Sequence, residues 1–177
     1  MPLYPYHCSF MDNNRYTKVL FWNISGINSK EKWDAISDKI NESAYHILCL
    51  QETKREVFDP LYPKKFCLRS LDSFAFSASI GAFGGLQTVC NSNLFDGIVV
   101  QSNSYAITIK LLCRTNKKCI HITNVYGPSN PTQKMSFATW LMNLETENYE
   151  NWVLGGDFNL IRNPENRNIN QVVIWER

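Results

Sequence analysis

Apolar residues in this chain fall into short runs bounded by polar or glycine-containing stretches, and the period of the runs changes along the sequence. Residues 18–23 (KVLFWN) form a continuous apolar and aromatic run that ends in SGINS, which predicts a buried strand feeding a loop. Over residues 30–43, Trp33, Ile36 and Ile40 recur at helical spacing among charged neighbours, with Ala44 a weaker continuation. Ser29 and Lys30-Glu31-Lys32 supply a capped start, so this segment is expected to be an amphipathic helix. Residues 46–51 (HILCLQ) predict a second buried strand, and strand, helix, strand at this spacing implies an α/β domain in which a helix covers a sheet.

Residues 74–126 are β-rich: FAFSAS, the turn GAFGG, LQTVC, GIVVQS, YAITIKLLC and KCIHITNVY predict an antiparallel meander. Beyond Pro131, Phe137, Trp140, Leu141 and Leu144 return to helical spacing and WVLGGD follows as a strand, so the strand, helix, strand unit occurs twice. Residues 54–69 set Lys54, Arg55, Lys64, Lys65 and Arg69 against Glu56 and Asp59, with two prolines. They read as a solvated loop or, more sharply, as a DNA-facing one.

Residues 1–16, with two prolines and Asp12-Asn13-Asn14, are expected to be a loose leader, and residues 17–177 one domain without repeat or linker. The closing RNPENRNINQVVIWER resembles neither a finished helix nor a bounded strand and reads as cut off.

Composition adds bounds. A chain of 177 residues with 44% apolar content can build one core, and a net charge of +2 neither announces a nucleic-acid binder nor excludes a local basic groove. The six cysteines show no CxxC pair or zinc-like spacing, so reduced thiols and an intracellular setting, nuclear or cytoplasmic, are expected. The N-terminus lacks a signal-peptide pattern and no run reaches the ~18 apolar residues of a membrane span, so no membrane partner is expected.

Polar clusters stand where predicted strands end: Asn23, Gln51-Glu52, Asn124-Val125-Tyr126 and Gly155-Gly156-Asp157-Phe158-Asn159. Each alone has an ordinary explanation as a turn, a cap or a solvated loop start. Together, after apolar strands, they predict a ligand site at one sheet edge. Carboxylate and amide oxygens without histidine or cysteine suit a hard cation such as Mg²⁺, which keeps waters and binds phosphate.

In this order, WN, LQET, NVYGP and GGDFN resemble the endonuclease/exonuclease/phosphatase superfamily, which includes apurinic endonucleases and pancreatic deoxyribonuclease. VLFWNISGIN, ILCLQETK, GAFGG, NVYGP and NWVLGGDFNLIRNP are most similar to the endonuclease domain of plant LINE (non-LTR) retrotransposons, over roughly residues 18–165. The resemblance implies a four-layer α/β/β/α sandwich of the deoxyribonuclease/apurinic endonuclease type, incomplete at the C-terminus. It also implies Mg²⁺ (or Mn²⁺) as cofactor, DNA as substrate, and a reverse-transcriptase region elsewhere in the full element.

By the same resemblance, Glu52 binds metal and Asn23 orients metal and phosphate. Tyr126 contacts the scissile phosphate, Asp157 positions or deprotonates the attacking water, and Asn159 steadies developing charge. Asn124 and Lys54 are further expected substrate contacts. The family's second aspartate and its Ser-Asp-His motif have no counterpart: residues 158–177 contain no aspartate or histidine. His7, His46 and His121 are expected to be structural. The resemblance therefore implies weak or absent cleavage and an inner sheet face left partly uncovered, hence marginal stability. Two other readings stay open: a phosphatase or phosphodiesterase for small phosphate esters, and a non-catalytic relic with residual nucleic-acid binding.

Overall fold

The computed structural model describes residues 5–12, 15–59, 61–80, 84–144, 151–160 and 171–176. Two five-stranded sheets stack face to face. The first contains β1 (Tyr6–Asp12), β2 (Arg15–Asn23), β3 (Ile47–Gln51), β4 (Leu71–Ser77) and β5 (Leu86–Asn91), in the order β1-β2-β3-β5-β4. The second contains β6 (Phe95–Ser102), β7 (Ala106–Cys113), β8 (Cys119–Tyr126), β9 (Asn151–Asp157) and β10 (Gln171–Glu176), in the order β10-β9-β8-β7-β6. Helix α1 (Lys30–Ser43) connects β2 to β3, and α2 (Pro131–Met142) lies between β8 and β9 in the chain.

Alternation along the strands creates the layers. On β2 and β3, Val19, Phe21, Ile47 and Cys49 face the second sheet, where they meet Ile109, Leu111, Ile120, Ile122 and Val153. Leu20, Leu48 and Leu50 face outward and are covered by Ile36 and Ile40 of α1. Both isoleucines are fully buried, each stabilising the layer by roughly 1.5–3 kcal/mol. On the far side, Val125, Trp152 and Leu154 pack under Phe137 of α2. The expected α/β/β/α order is therefore present, with both helices at their anticipated positions. Ala44, a weak continuation of the helical stripe in the sequence, is instead the left-handed cap of α1 at φ 47°.

Four expectations need correction. Tyr6–Asp12, assigned to a loose leader, forms the edge strand β1 and pairs antiparallel with β2 from Tyr6↔Phe21 to Asp12↔Arg15. The reason is visible in its alternation, with Cys8 buried between exposed His7 and Ser9. The meander is divided: β4 and β5 belong to the first sheet and β6 to β8 to the second, the chain changing sheets at the turn after Asn91. The basic segment after Thr53 keeps Lys64, Lys65 and Arg69 exposed, as expected of a solvated loop, but it is also anchored, because Phe58, Tyr62 and Phe66 are buried in the α1-side core. Arg55 lies over the Tyr62 ring at 3.7 Å and Lys65 over Trp33 at 4.5 Å, so aromatic faces hold part of its charge. Finally, Gln171–Glu176 is a bounded strand, antiparallel to β9.

No helix among the described residues is long and apolar enough to cross a membrane. All six cysteines are free thiols. Burial pushes Cys8 up to about 11 and Cys67 up to about 12, the behaviour of packing residues rather than nucleophiles.

Candidate metal and phosphate site

Each sheet contains one parallel pair, and these two pairs position the site. A parallel pair needs a crossover, which α1 supplies between β2 and β3 and α2 accompanies between β8 and β9. The pairings end at Asn23↔Gln51 in one sheet and Tyr126↔Asp157 in the other. Four strand C-termini thus meet at one rim of the sandwich, the edge at which open α/β sheets gather ligand-binding side chains.

Asn23 and Asp157 close that rim. Asn23 Nδ2 donates to Asp157 Oδ2 over 2.7 Å, while Asn23 Oδ1 accepts from the Ser25 backbone N–H at 3.1 Å. The Asn159 backbone N–H donates to Asp157 Oδ1 at 3.0 Å. Both carboxylate oxygens are therefore held, and the side chain keeps one orientation. Burial pushes the Asp157 carboxyl above the usual carboxylate range and the Glu52 charge adds to this; the Asn23 and Asn159 hydrogen bonds and the Lys134 charge oppose it.

Glu52 follows β3 with φ 55° and Lys54 has φ 54°, two left-handed residues that turn the chain sharply at the strand end. Lys54 Nζ lies 3.1 Å from Glu52 Oε1, and this partly exposed pair leaves the Glu52 carboxylate open to solvent. Tyr126 sits between the two acids electrostatically: burial, then Glu52, then Asp157, push its phenol upward. It therefore remains a hydroxyl donor throughout the neutral range.

Asn159 is also at the rim at φ 50°, and its Nδ2 donates to Gly127 O at 2.8 Å. Gly127 N in turn donates to Asp157 O at 2.7 Å, so the β8 and β9 ends are clasped together. One amide proton of Asn159 is thus committed to structure.

Asn124 is removed from the expected substrate contacts. It is completely buried, accepting from Gln51 Nε2 at 2.6 Å and donating to Leu50 O and Gln87 O, both at 3.2 Å. It ties the sheets together beneath the site instead of facing a ligand. Two contributors escaped the sequence reading. Ser25, at φ 49°, fixes the Asn23 amide through its N–H, and no side-chain signal could have announced a backbone role. Lys134 reaches the electrostatics of Asp157, and its spacing one turn before Phe137 was the available clue.

The expected structural histidines lie elsewhere. His46 Nδ1 accepts from the Lys18 N–H at the beginning of β3, and His121 pairs with Lys110 and Trp152 in the body of its sheet. His7 pairs with Leu20 and its ring neighbours Tyr45.

The donor set fits a hard divalent cation. Glu52 offers an accessible carboxylate, Asn23 a fixed amide oxygen, and the mutual repulsion of Glu52 and Asp157 is what a cation relieves. No cluster of three or more His, Cys, Asp or Glu residues suited to a metal occurs among the described residues. Among the described residues the donors are therefore oxygens, and Mg²⁺, which retains several waters, needs only one or two carboxylates.

No protein-family model and no curated protein matches this sequence. Solved structures do match. The AP endonuclease LMAP from Leishmania major aligns with a TM-score of 0.63 at 18% identity, over 92% of this chain and 61% of its own. The Xenopus laevis APE2 catalytic domain gives 0.57 at 19% identity, over 82% and 59% respectively. The endonuclease domain of TRAS1, a telomere-specific non-LTR retrotransposon, gives 0.59 at 15% identity, over 82% and 62%. The chain thus spans about three fifths of the length of these structures. What the likeness establishes is the fold: a layered α/β sandwich of the AP endonuclease and deoxyribonuclease type.

Proposed function

We propose that this chain carries the metal and nucleophile side of a Mg²⁺-dependent phosphodiester-cleaving endonuclease domain of the retrotransposon type, with DNA as substrate. The proposed domain takes in β1 and the whole of β2 as well as the expected residues 17–177, and Mn²⁺ is an alternative metal. The sequence motifs support a source among plant LINE elements, and a reverse-transcriptase region elsewhere in the full element is part of this reading. The observation that carries the reading is the Asn23–Asp157 hydrogen bond, which brings two sheets' polar strand ends together beside Glu52 and Tyr126.

The chemistry follows from the side chains. Asp157, held at both oxygens and pushed upward by burial, receives a proton from the attacking water. Tyr126, kept protonated, donates to a non-bridging phosphate oxygen. Asn23 keeps Asp157 in place through its amide N–H, while its amide oxygen is fixed by the Ser25 N–H. Bound Mg²⁺, held by Glu52 and Asn23, would supply charge neutralisation on the phosphate. The other amide proton of Asn159 and the Lys54 ammonium are further donors near this rim.

His7, His46 and His121 are placed outside this group, so the proposed chemistry rests on Asn23, Glu52, Tyr126 and Asp157. Conversion of supercoiled plasmid to open circle in Mg²⁺, with Glu52→Ala and Asp157→Ala in parallel, tests the proposal. Binding without any Mg²⁺-dependent nicking would point to the non-catalytic relic.

A further inference from the structure

Lys134 stands in the first turn of α2, one turn before Phe137 and on the same helix face. Phe137 is fully buried and fixes that face against the site. Its ring centroid lies 6.4 Å from that of Phe158, and its edge would be 2.8 Å from a Cβ placed on Gly127. Gly127 and Phe158 are the residues immediately following Tyr126 and Asp157, so α2 presents its N-terminal turn beside the rim. Lys134 is half-buried there and forms no ion pair within 4 Å among the described residues.

Asp157 does not need Lys134 as a partner, because Asn23 and the Asn159 N–H already occupy both its oxygens. Lys54 is different, being engaged with Glu52 at 3.1 Å in the loop that follows β3. Among the described residues the rim therefore has a paired cation contributed by the first sheet's loop and, from α2, a cation without an ion pair. A cation that flanks the centre can meet the phosphate next to the one being cleaved in a polyanion, whereas a lone ester has no such neighbour.

Resting on the phosphodiesterase reading above, we propose that Lys134 is a substrate-positioning residue that holds a phosphate neighbouring the scissile one in a DNA strand. It favours polynucleotide over isolated phosphodiesters. The ordinary alternative is a solvated helix lysine. Lys117, in the β7–β8 turn at the opposite end of those strands, serves as control.

Binding of a short labelled DNA duplex is measured by fluorescence anisotropy across a salt series without divalent metal. Lys134→Gln is expected to weaken binding about 3- to 10-fold and to reduce the slope of log K against log salt by about 0.9, the value for one lost phosphate contact. Lys117→Gln should leave both unchanged. In Mg²⁺, Lys134→Gln should slow plasmid nicking by a clearly larger factor than hydrolysis of bis(p-nitrophenyl) phosphate, which has no neighbouring phosphate and feels only the loss of the Lys134 charge near Asp157.

An unchanged salt slope, an equal loss in Lys117→Gln, absence of DNA binding by the unmodified chain, or a matching loss on the small ester would each overturn the role given to Lys134. The two proposals separate cleanly. A reduced slope without any nicking leaves Lys134 in place and removes the cleavage reading, whereas site-dependent nicking with an unchanged slope does the reverse.

Discussion

Asn23 and Asp157, 134 positions apart and in different sheets, share a 2.7 Å hydrogen bond in which the asparagine amide donates to the carboxylate. The bond opposes the upward push that burial gives Asp157. Asn23→Ala should therefore raise the Asp157 pKa further and move the acid limb of the pH–rate profile to higher pH. Cleavage at neutral pH should fall about 10²-fold, as for loss of a positioned catalytic partner. A pH profile of nicking checks this; a limb displaced toward lower pH would contradict the direction.

Asp157 also links function to stability. Its folded pKa lies above the ordinary 3.8, so the folded state holds the proton more tightly than the unfolded chain. Stability from this group is thus lost as pH rises from 3.8 through the folded value, and is not regained above it. Asp157→Asn should abolish cleavage and remove this pH dependence, at the cost of one hydrogen bond, because its NH2 faces an N–H that an aspartate oxygen accepted. Thermal melts of both proteins across pH should show the difference between them moving in the variant's favour as pH rises through that window. A constant gap would count against a raised pKa.

Asn124 offers the opposite case. Replacing it by leucine leaves Gln51 Nε2 with one partner fewer and two buried carbonyls, Leu50 O and Gln87 O, without this donor. The cost should be about 1–3 kcal/mol per group left unsatisfied. Denaturant melts should register that loss, while DNA affinity of the folded fraction stays unchanged. A selective loss of DNA binding at full stability would restore Asn124 to the substrate.

The two glycines before Asp157 are required by space and backbone. A Cβ on Gly155 would stand 2.7 Å from the Phe21 ring, and one on Gly156, at φ 144°, would stand 1.9 Å from Val125 O. Gly156→Ala is expected to cost more than about 4 kcal/mol, because the obstacle is backbone rather than a flexible side chain. Soluble yield and melting midpoint provide the readout, and a near-native melt would show that β8 and β9 are not so closely clasped.

The sequence made the layers legible because Leu20, Leu48 and Leu50 alternate with Val19, Phe21, Ile47 and Cys49 on strands covered on both faces, and Ile36 and Ile40 keep helical period. It also located the rim, since Asn23, Glu52, Tyr126 and Asp157 each follow an apolar run. What escaped it was tertiary. Whether β4–β5 and β6–β8 share a sheet depends on which apolar faces meet across the sandwich, and local alternation is identical either way. Asn124 and Asn159 have the same chemistry in sequence; only the fold reveals that Asn124 is spent between sheets while Asn159 reaches the rim. β1 was hidden by prolines and a run of Asp and Asn that suit a hairpin as well as a tail. Lys134 acquires meaning only through Phe137, Gly127 and Phe158.

Mg²⁺-dependent nicking of supercoiled plasmid by the unmodified chain, Glu52→Ala and Asp157→Ala, prepared identically, tests the proposed site most directly. Slow conversion to open circle that stops with chelator and disappears in both variants is expected. Nicking that persists at the same rate in either variant, or no nicking by the unmodified chain at any Mg²⁺ or Mn²⁺ concentration, would contradict a phosphodiesterase centre built on Asn23, Glu52, Tyr126 and Asp157.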